Sequence, residues 1–406
     1  MSENYTSQNI VLIVTAVFPP EPVVTAVLSR DLAEALSQKR HVEVICPKPT
    51  RPEGFNFEER ISPKEYNIIE QNSYTCASSK IIGRFRESYS FGKFCEKYIV
   101  DNRNKIRCIY INSWPLLSQY LIVRAAKRYN IKCVMHVQDI YPESLINKIP
   151  IGKSIINKVL LPIDKYSLRN SNSIIAISDN MKQYLIQTRG ISSDRIHVVP
   201  NWQDEEAFNS FKSLKLQKED DIHSDFTFMY MGNIGPLAGV DFIIKSFVKA
   251  QIPNSRLIIA GSGSRKDKCI ELVKSLNATN IEFLFVPEGG VPAVQDKSDV
   301  MLLTVKKNGA MSSIPSKLPA YMFSAKPIIG SLDLESDTAK AIIESGCGIV
   351  IEPENEEALI NAMIKFSLIS RKELVDKGKA GFEYAVVHYS KKINLQKVVS
   401  IIENTI

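Results

Sequence analysis

Residues 9–46 read NIVLIVTAVFPPEPVVTAVLSRDLAEALSQKRHVEVIC, and three segments of different period lie within them. The outer two, 9–18 and 41–46, are apolar and rich in β-branched residues. Their short uninterrupted length is that of strands buried on both faces of a parallel sheet. Between them Val27, Leu28, Leu32, Ala35 and Leu36 recur at helical spacing, while Arg30, Asp31 and Glu34 fall elsewhere on the helix. Strand, helix, strand in this order is the βαβ unit of a doubly wound α/β domain. No positive charge precedes the first run, and it passes into PPEP rather than a small-residue cleavage site. It therefore reads as a buried strand and not as a signal peptide.

The alternation continues through RCIYINS, KCVMHVQ and SIIAIS, then restarts after the polar stretch KSLKLQKEDDIHSD. A second series follows: FTFMYMG, SRLIIAGSG, IEFLFV, DVMLLTV, KPIIGS and CGIVIEP, with helical periods between. Two successive Rossmann-like units are expected, over residues 1–203 and 204–389, joined by a linker near 204–224. A last helix, near 390–403, packs across either unit.

The bulk numbers agree. A chain of 406 residues is too long for one typical core, and 44% hydrophobic with 23% charged residues is ordinary for globular domains. Seven scattered cysteines with no CxxC pair argue against a disulfide framework and a zinc ribbon, and favour a reducing cytoplasm. No apolar run approaches the roughly 18 residues that span a bilayer. Residues 1–200 hold 27 Lys+Arg against 18 Asp+Glu, and the remainder 24 against 26. A basic N-terminal half suits an anionic partner; solvated surface lysines are the bland alternative.

In doubly wound folds ligands bind beyond the carboxyl ends of the strands, so chemistry is expected after each run. At MHVQDIYPES, His136 and Asp139 are placed to position or deprotonate a substrate hydroxyl, against the alternative of a buried histidine satisfied by a backbone carbonyl. At MYMGNIGPLAG, Gly232 and Asn233 let the backbone approach a ligand at a helix N-terminus, where a phosphate is favoured. Gly261 and Gly263 repeat the theme before Arg265 and Lys266, although the third glycine of GxGxxG is missing. In the stretch IPSKLPAYMF, Pro315 and Ser316 suit a helix start, and Lys317 stands where the helix dipole disfavours a cation unless an anion is present.

No His/Cys cluster has metal spacing, and basic residues do not interleave with aromatics as a nucleic-acid channel requires, so neither metal nor nucleic acid is expected. Two basic segments point to a membrane surface. Residues 80–107 carry eight Lys+Arg with Ile81, Ile82, Phe85, Phe91 and Phe94 between them. Residues 148–169 carry Ile155, Ile156, Val159, Leu160 and Ile163 flanked by Lys153, Lys158, Lys165 and Arg169.

Seven motifs taken in order, FPPEPVVTA, HVQDIYPES, IIAISDNMKQYL, VVPNWQDEEAF, MGNIG, IPSKLPAYMFSAKPII and ESGCGIVIEPEN, give the chain a resemblance to the bacterial family 4 glycosyltransferases of GT-B fold that build surface polysaccharides. The likeness is closest to the branch transferring fucose-type or N-acetylfucosamine residues to lipid-linked units of O-antigen, capsule or colanic acid. It implies two Rossmann-like domains, with the nucleotide-sugar donor held by the second across a cleft from the acceptor. It also implies retention of anomeric configuration without a metal or other cofactor. The acceptor it implies is an undecaprenyl-diphosphate-linked saccharide at the inner membrane surface, with the protein cytoplasmic and peripheral there. Carried over by motif, Ser316 and Lys317 fall at the donor loop, His136 and Asp139 at the end of the acceptor domain, Asn201 at the domain junction and Asn233 near the diphosphate.

The sequence departs from the family where two glutamates often hold sugar and ribose; here Ser312 and Ala320 stand. Asn233 and Ala238 replace an Arg and a Lys, and Val23 and Val24 a glycine pair. Arg265, Lys266, Lys306 and Lys317 are then the candidates to hold ribose and phosphate. The alternatives are a nucleotide-sugar 2-epimerase of the same fold and a catalytically silent sugar-nucleotide-binding subunit.

Overall fold

The structure is a computed structural model and describes residues 9–50, 56–57, 59–61, 63–72, 74–76, 81–112, 115–146, 153–215, 225–287, 289–307 and 317–406. The chain divides into two compact units, Met1–Asn201 with Asn394–Ile406, and Trp202–Ile393.

In the first unit seven strands form one sheet: β1 (Ile10–Val14), β2 (His41–Pro47), β3 (Asn67–Gln71), β4 (Ile106–Asn112), β5 (Lys132–Val137), β6 (Ser173–Ala176) and β7 (Ile196–Val198). All neighbours are parallel, in the order β3-β2-β1-β4-β5-β6-β7. The apolar runs of β1, β4, β5 and β6 are buried on both faces, as their lack of polar alternation demands. The sequence pattern did not disclose β3 or β7. Both lie at sheet edges, where NIIEQ is only half-buried and β7 is three residues long, so neither carries a continuous apolar run.

The helix Val24–Ser37 buries Leu28, Leu32 and Leu36 as its period requires, but Val27 is 40% exposed and Asp31 is buried beside Arg30. The apolar face is therefore rotated from the expected one. Phe91, expected toward a membrane, instead lies in the core with Cys95 and Ile99 of the helix Ile81–Asp101. The helix Lys153–Asn170 buries Leu160, Asp164, Ser167 and Leu168 and leaves Ile155 71% and Val159 60% exposed.

In the second unit β8 (Phe226–Met231), β9 (Ser255–Ala260), β10 (Ile281–Leu284), β11 (Val300–Thr304), β12 (Ile328–Ser331) and β13 (Gly348–Ile351) form a parallel sheet. Its order is β10-β9-β8-β11-β12-β13. The expected linker begins instead as the helix Glu205–Lys215, and residues 216–224 lie outside the described ones. The last helix, Lys391–Thr405, starts in the second unit, where Glu205 accepts from Ser390 and from the Lys391 N–H. From Asn394 onward it belongs to the first unit, through a two-point Arg40–Glu403 pair and Asn394 Nδ2 donating to Pro200 O at 3.1 Å.

One ion cluster ties three helices of the first unit. Arg189 is 1% exposed, its Nε lies 2.5 Å from Asp164 and its Nη2 2.7 Å from Glu143, and Tyr141 O accepts from Nη2 as well. Removing one partner from a buried cluster strands the remaining charges. Arg189→Ala is therefore expected to cost about 3–5 kcal/mol in denaturant unfolding. A cost below about 1 kcal/mol would show that the cluster adds little.

Candidate functional site

Strand order sets the location. β8 is flanked by β9 on one side and β11 on the other, so the chain reverses its direction of travel across the sheet there. The crevice beyond the carboxyl ends of β8 and β11 is where a doubly wound sheet takes a ligand. The β8–β11 register runs only through Val300↔Phe228 and Met301↔Met229. Beyond it the Tyr321 hydroxyl takes over, accepting from the Met231 N–H at 2.9 Å and donating to the Met231 carbonyl at 2.7 Å. Tyr321 lies on the helix Lys317–Phe323, so these two bonds set the first residue of that helix, Lys317, against the end of β8.

Two glycines make the approach possible. A Cβ at Gly232, where φ is +143°, would sit 2.4 Å from Lys317 Cε and 3.1 Å from Cδ. The lysine stem runs where a side chain would be. A Cβ at Gly261 would lie 2.2 Å from the Gly232 carbonyl oxygen, so the loops after β8 and β9 touch backbone to backbone. The Ile234 N–H donates to Ser262 O at 2.8 Å and the Arg265 N–H to Ile234 O at 3.0 Å, joining the same two loops. The Lys306 N–H donates to Leu237 O at 3.0 Å, which brings the β11 loop to the far end of the β8 loop.

Lys317 Nζ lies 2.6 Å from Tyr230 Oη and 4.5 Å from the centre of that ring. Burial pulls its pKa down from 10.5 to about 8. Among the described residues no carboxylate pairs with it, and residues 308–316, which precede it, contain no Asp or Glu. A positive group half out of water, at the mouth of the crevice and without a counter-ion, is poised for an anion.

The structure thus brings Gly232, Asn233, Lys317 and the backbones of Arg265, Lys266 and Lys306 to one rim. The Lys266 N–H donates to Gly263 O at 3.0 Å, and the Arg265 side chain is exposed. Ser312 and Ser316, with the expected helix cap, lie outside the described residues. Ala320 is 8% exposed and packs in the core, so no carboxylate replaces the expected glutamate there. Tyr230 and Tyr321 escaped sequence reasoning, because each reads as one more apolar-face aromatic. The only local hint was a phenol at the end of a strand and another within a helix face.

In the first unit His136 is the last residue but one of β5, near its carboxyl end as expected, and has no exposed surface. Its Nδ1 is 2.6 Å from Tyr110 Oη rather than against a backbone carbonyl, and burial pulls its pKa down to about 3. The ring is enclosed, and its Nε2 is buried without a hydrogen-bond partner among the described residues. Asp139, two residues past β5, is half-buried and accepts from the Ile140 N–H at 3.0 Å. Asn201 is the last residue of the first unit before the chain passes to the second, and its Oδ1 is buried without a hydrogen-bond partner among the described residues. Among the described residues no group of three or more His, Cys, Asp or Glu is placed to hold a metal ion.

Two family models match the chain in succession: Glycosyltransferase Family 4 over residues 25–207 and Glycosyl transferases group 1 over residues 212–381. The probable glycosyltransferase WbjE of Pseudomonas aeruginosa is 20% identical over 300 residues, 71% of each chain. An uncharacterized glycosyltransferase of Methanocaldococcus jannaschii is 27% identical over 136 residues, 32% of this chain, and the match spans only 34% of that relative's length. Among solved structures, Anabaena HepE in complex with UDP and glucose superposes with a TM-score of 0.69 at 13% identity, over 97% of this chain and 99% of that one. WaaG, a glycosyltransferase involved in lipopolysaccharide biosynthesis, does so at 0.68 and 15%, over 97% and 99%. The two parallel-sheet units have the GT-B fold.

The lowered Lys317 pKa has a consequence for stability. The folded protein holds this proton less tightly than the unfolded chain does, so between about pH 8 and 10.5 the unfolded state binds more protons and stability rises with pH. Lys317→Met removes that term. Across pH 7–10.5 the stability advantage of Lys317→Met over wild type, measured without ligand, is expected to shrink as pH rises. An advantage that stays constant would show folding to leave the lysine's proton affinity unchanged, and one that grows would show it raised.

Proposed function

We propose that this chain, a glycosyltransferase built from the two GT-B domains, moves a sugar from a nucleoside diphosphate to a lipid-linked saccharide in surface-polysaccharide assembly. The proposed reaction retains anomeric configuration and uses no metal. The observation that carries the donor assignment is the Lys317 ammonium, without a carboxylate partner, beside Gly232 at the switch point of the second sheet. A departing nucleoside diphosphate gains negative charge, and a fixed cation in a partly dry site stabilises that charge. The backbones of Arg265, Lys266 and Lys306 join the same loops, and their cationic side chains are proposed to add positive potential there. HepE, of like fold, was solved with UDP and glucose, which supports a nucleotide-sugar here. The fucose-type or N-acetylfucosamine donor is proposed from the resemblance carried by the seven motifs. On the acceptor unit, Asp139 is proposed to orient a hydroxyl.

A lipid-linked acceptor requires contact with a membrane, and no described helix is long and apolar enough to cross one. The helix Lys153–Asn170 suits attachment to the surface: Ile155 and Val159 stand exposed between exposed Lys153 and Lys158. Ile82, 85% exposed on the helix Ile81–Asp101, adds a second apolar point on the same unit.

Two measurements test these assignments. In a thermal-shift screen of UDP-, GDP- and dTDP-sugars, one nucleotide at 100 times its Kd is expected to stabilise wild type by about 2.7 kcal/mol. Lys317→Ala is expected to lose most of that gain. Equal shifts in both proteins would remove Lys317 from the donor site, and no shift with any nucleotide would overturn the donor assignment. For the membrane, Lys153→Gln with Lys158→Gln is expected to weaken binding to anionic-lipid vesicles roughly thirtyfold, since each basic residue contributes about 1 kcal/mol at such a surface. Unchanged binding would discard this face.

A further inference from the structure

Lys317 is held at its tip as well as along its stem. Tyr230 Oη lies 2.6 Å from Lys317 Nζ and 2.7 Å from the Asn233 carbonyl oxygen. A carbonyl only accepts, so the phenol proton belongs to Asn233 O, and the phenol oxygen is left to accept from the ammonium. The chain of bonds therefore has one direction, from Lys317 to Tyr230 to the loop after β8. Tyr230 is the last residue but one of β8, has no exposed surface, and packs with Phe228, Ile234 and Ile259. Burial pushes its phenol well up, so it stays protonated and cannot serve as a counter-ion. An ammonium has three N–H donors. One goes to Tyr230, and among the described residues no other acceptor takes the remaining two.

We propose that Tyr230 is the positioning residue of the donor site: its hydroxyl holds the Lys317 ammonium beside Gly232, and the two N–H donors that no described residue takes point to the diphosphate. This deepens the proposed function and rests on it. A long flexible side chain normally loses rotamer freedom only when its ligand arrives; here that ordering is complete beforehand, which is preorganisation. The hydroxyl also favours the charged amine. The other titratable groups facing the pair are Tyr321 on the lysine's own helix and Cys269 on the helix Lys266–Ser275. Burial raises both above their ordinary values. Over pH 6.5–9 the titration near this pair is that of Lys317.

Tyr230→Phe is the discriminating variant, because it keeps the ring, its packing and its cation–π face and removes only the hydroxyl. Calorimetric titration with UDP, GDP and dTDP from pH 6.5 to 9.5 is made on wild type, Tyr230→Phe and Lys317→Met. Wild type is expected to bind one of the three steadily at low pH and more weakly above about pH 8. Tyr230→Phe is expected to bind that nucleotide about tenfold more weakly, the worth of one charge-assisted hydrogen bond. Its alkaline limb should also move to lower pH, because the ammonium has lost an acceptor. Reductive ¹³C-methylation of the lysines reports the Lys317 titration directly, and the ligand-free melting temperature reports folding.

Tyr230→Phe with wild-type affinity and an unmoved limb, while Lys317→Met loses binding, overturns the Tyr230 proposal and leaves the donor site intact. A lowered melting temperature with an unmoved limb also overturns it, since the hydroxyl is then only structural. If Lys317→Met binds as wild type does, or no nucleotide binds wild type, the donor-site reading fails and this proposal fails with it.

Discussion

A lysine ammonium drawn partly out of water, with no carboxylate beside it, is the constraint around which the second unit is arranged. Removing a cation from water costs several kcal/mol unless other groups replace its hydration. Here the replacement is one phenol oxygen and one aromatic face, the latter contributing about 0.5–2 kcal/mol. Every other feature of the rim accommodates that choice. Gly232 lacks a side chain because the lysine stem occupies its place, and Gly261 lacks one because the Gly232 carbonyl does. Tyr321 closes the gap left where β8 and β11 part, and so sets the lysine at this point and no other.

The first unit repeats this strand order with one further strand, β7, at its edge, and has a different chemistry at the corresponding place. Beyond β1 and β4, Asn112 Nδ2 donates to Thr15 Oγ1 and Ser29 Oγ, both at 2.9 Å, and Thr25 Oγ1 donates to Gln138 Oε1 at 2.8 Å. These groups are neutral and bonded to one another, where the second unit offers a cation. One topology therefore carries chemically different groups beyond its strands in the two units. Further positive charge of the first unit lies along helices such as Lys153–Asn170, where it flanks exposed Ile155 and Val159. Cations at the edge of an apolar strip and a cation at the mouth of a crevice answer to the same Coulomb attraction. They differ in solvation, and so in how specific a partner each selects.

Much of the architecture was legible because it is written in local periods. Among the described residues the apolar runs marked eleven of thirteen strands, and the helix between β1 and β2 was visible at 3.6-residue spacing. What failed did so for identifiable reasons. β3 and β7 are edge strands with one neighbour each and need no continuous apolar run. Val27 and Phe91 fit an apolar helix face in sequence, but where the face points depends on the neighbouring elements, and these turned Val27 outward and Phe91 inward. His136 lies near the end of its strand as expected, but its partner Tyr110, on the adjacent strand, has no signature in the local sequence.

By itself the sequence determined two doubly wound units and the loops where chemistry belongs. Strand and helix periods are local properties of the chain, and glycines after strands mark a close approach whatever makes it. It also singled out Lys317, because a cation at a helix start opposes the dipole. Only the tertiary structure decided what holds that lysine. Tyr230 stands 87 residues earlier and reads as an ordinary core aromatic. The two meet because strand order places the end of β8 beside the loop that follows β11, and no local pattern encodes which distant strands become neighbours.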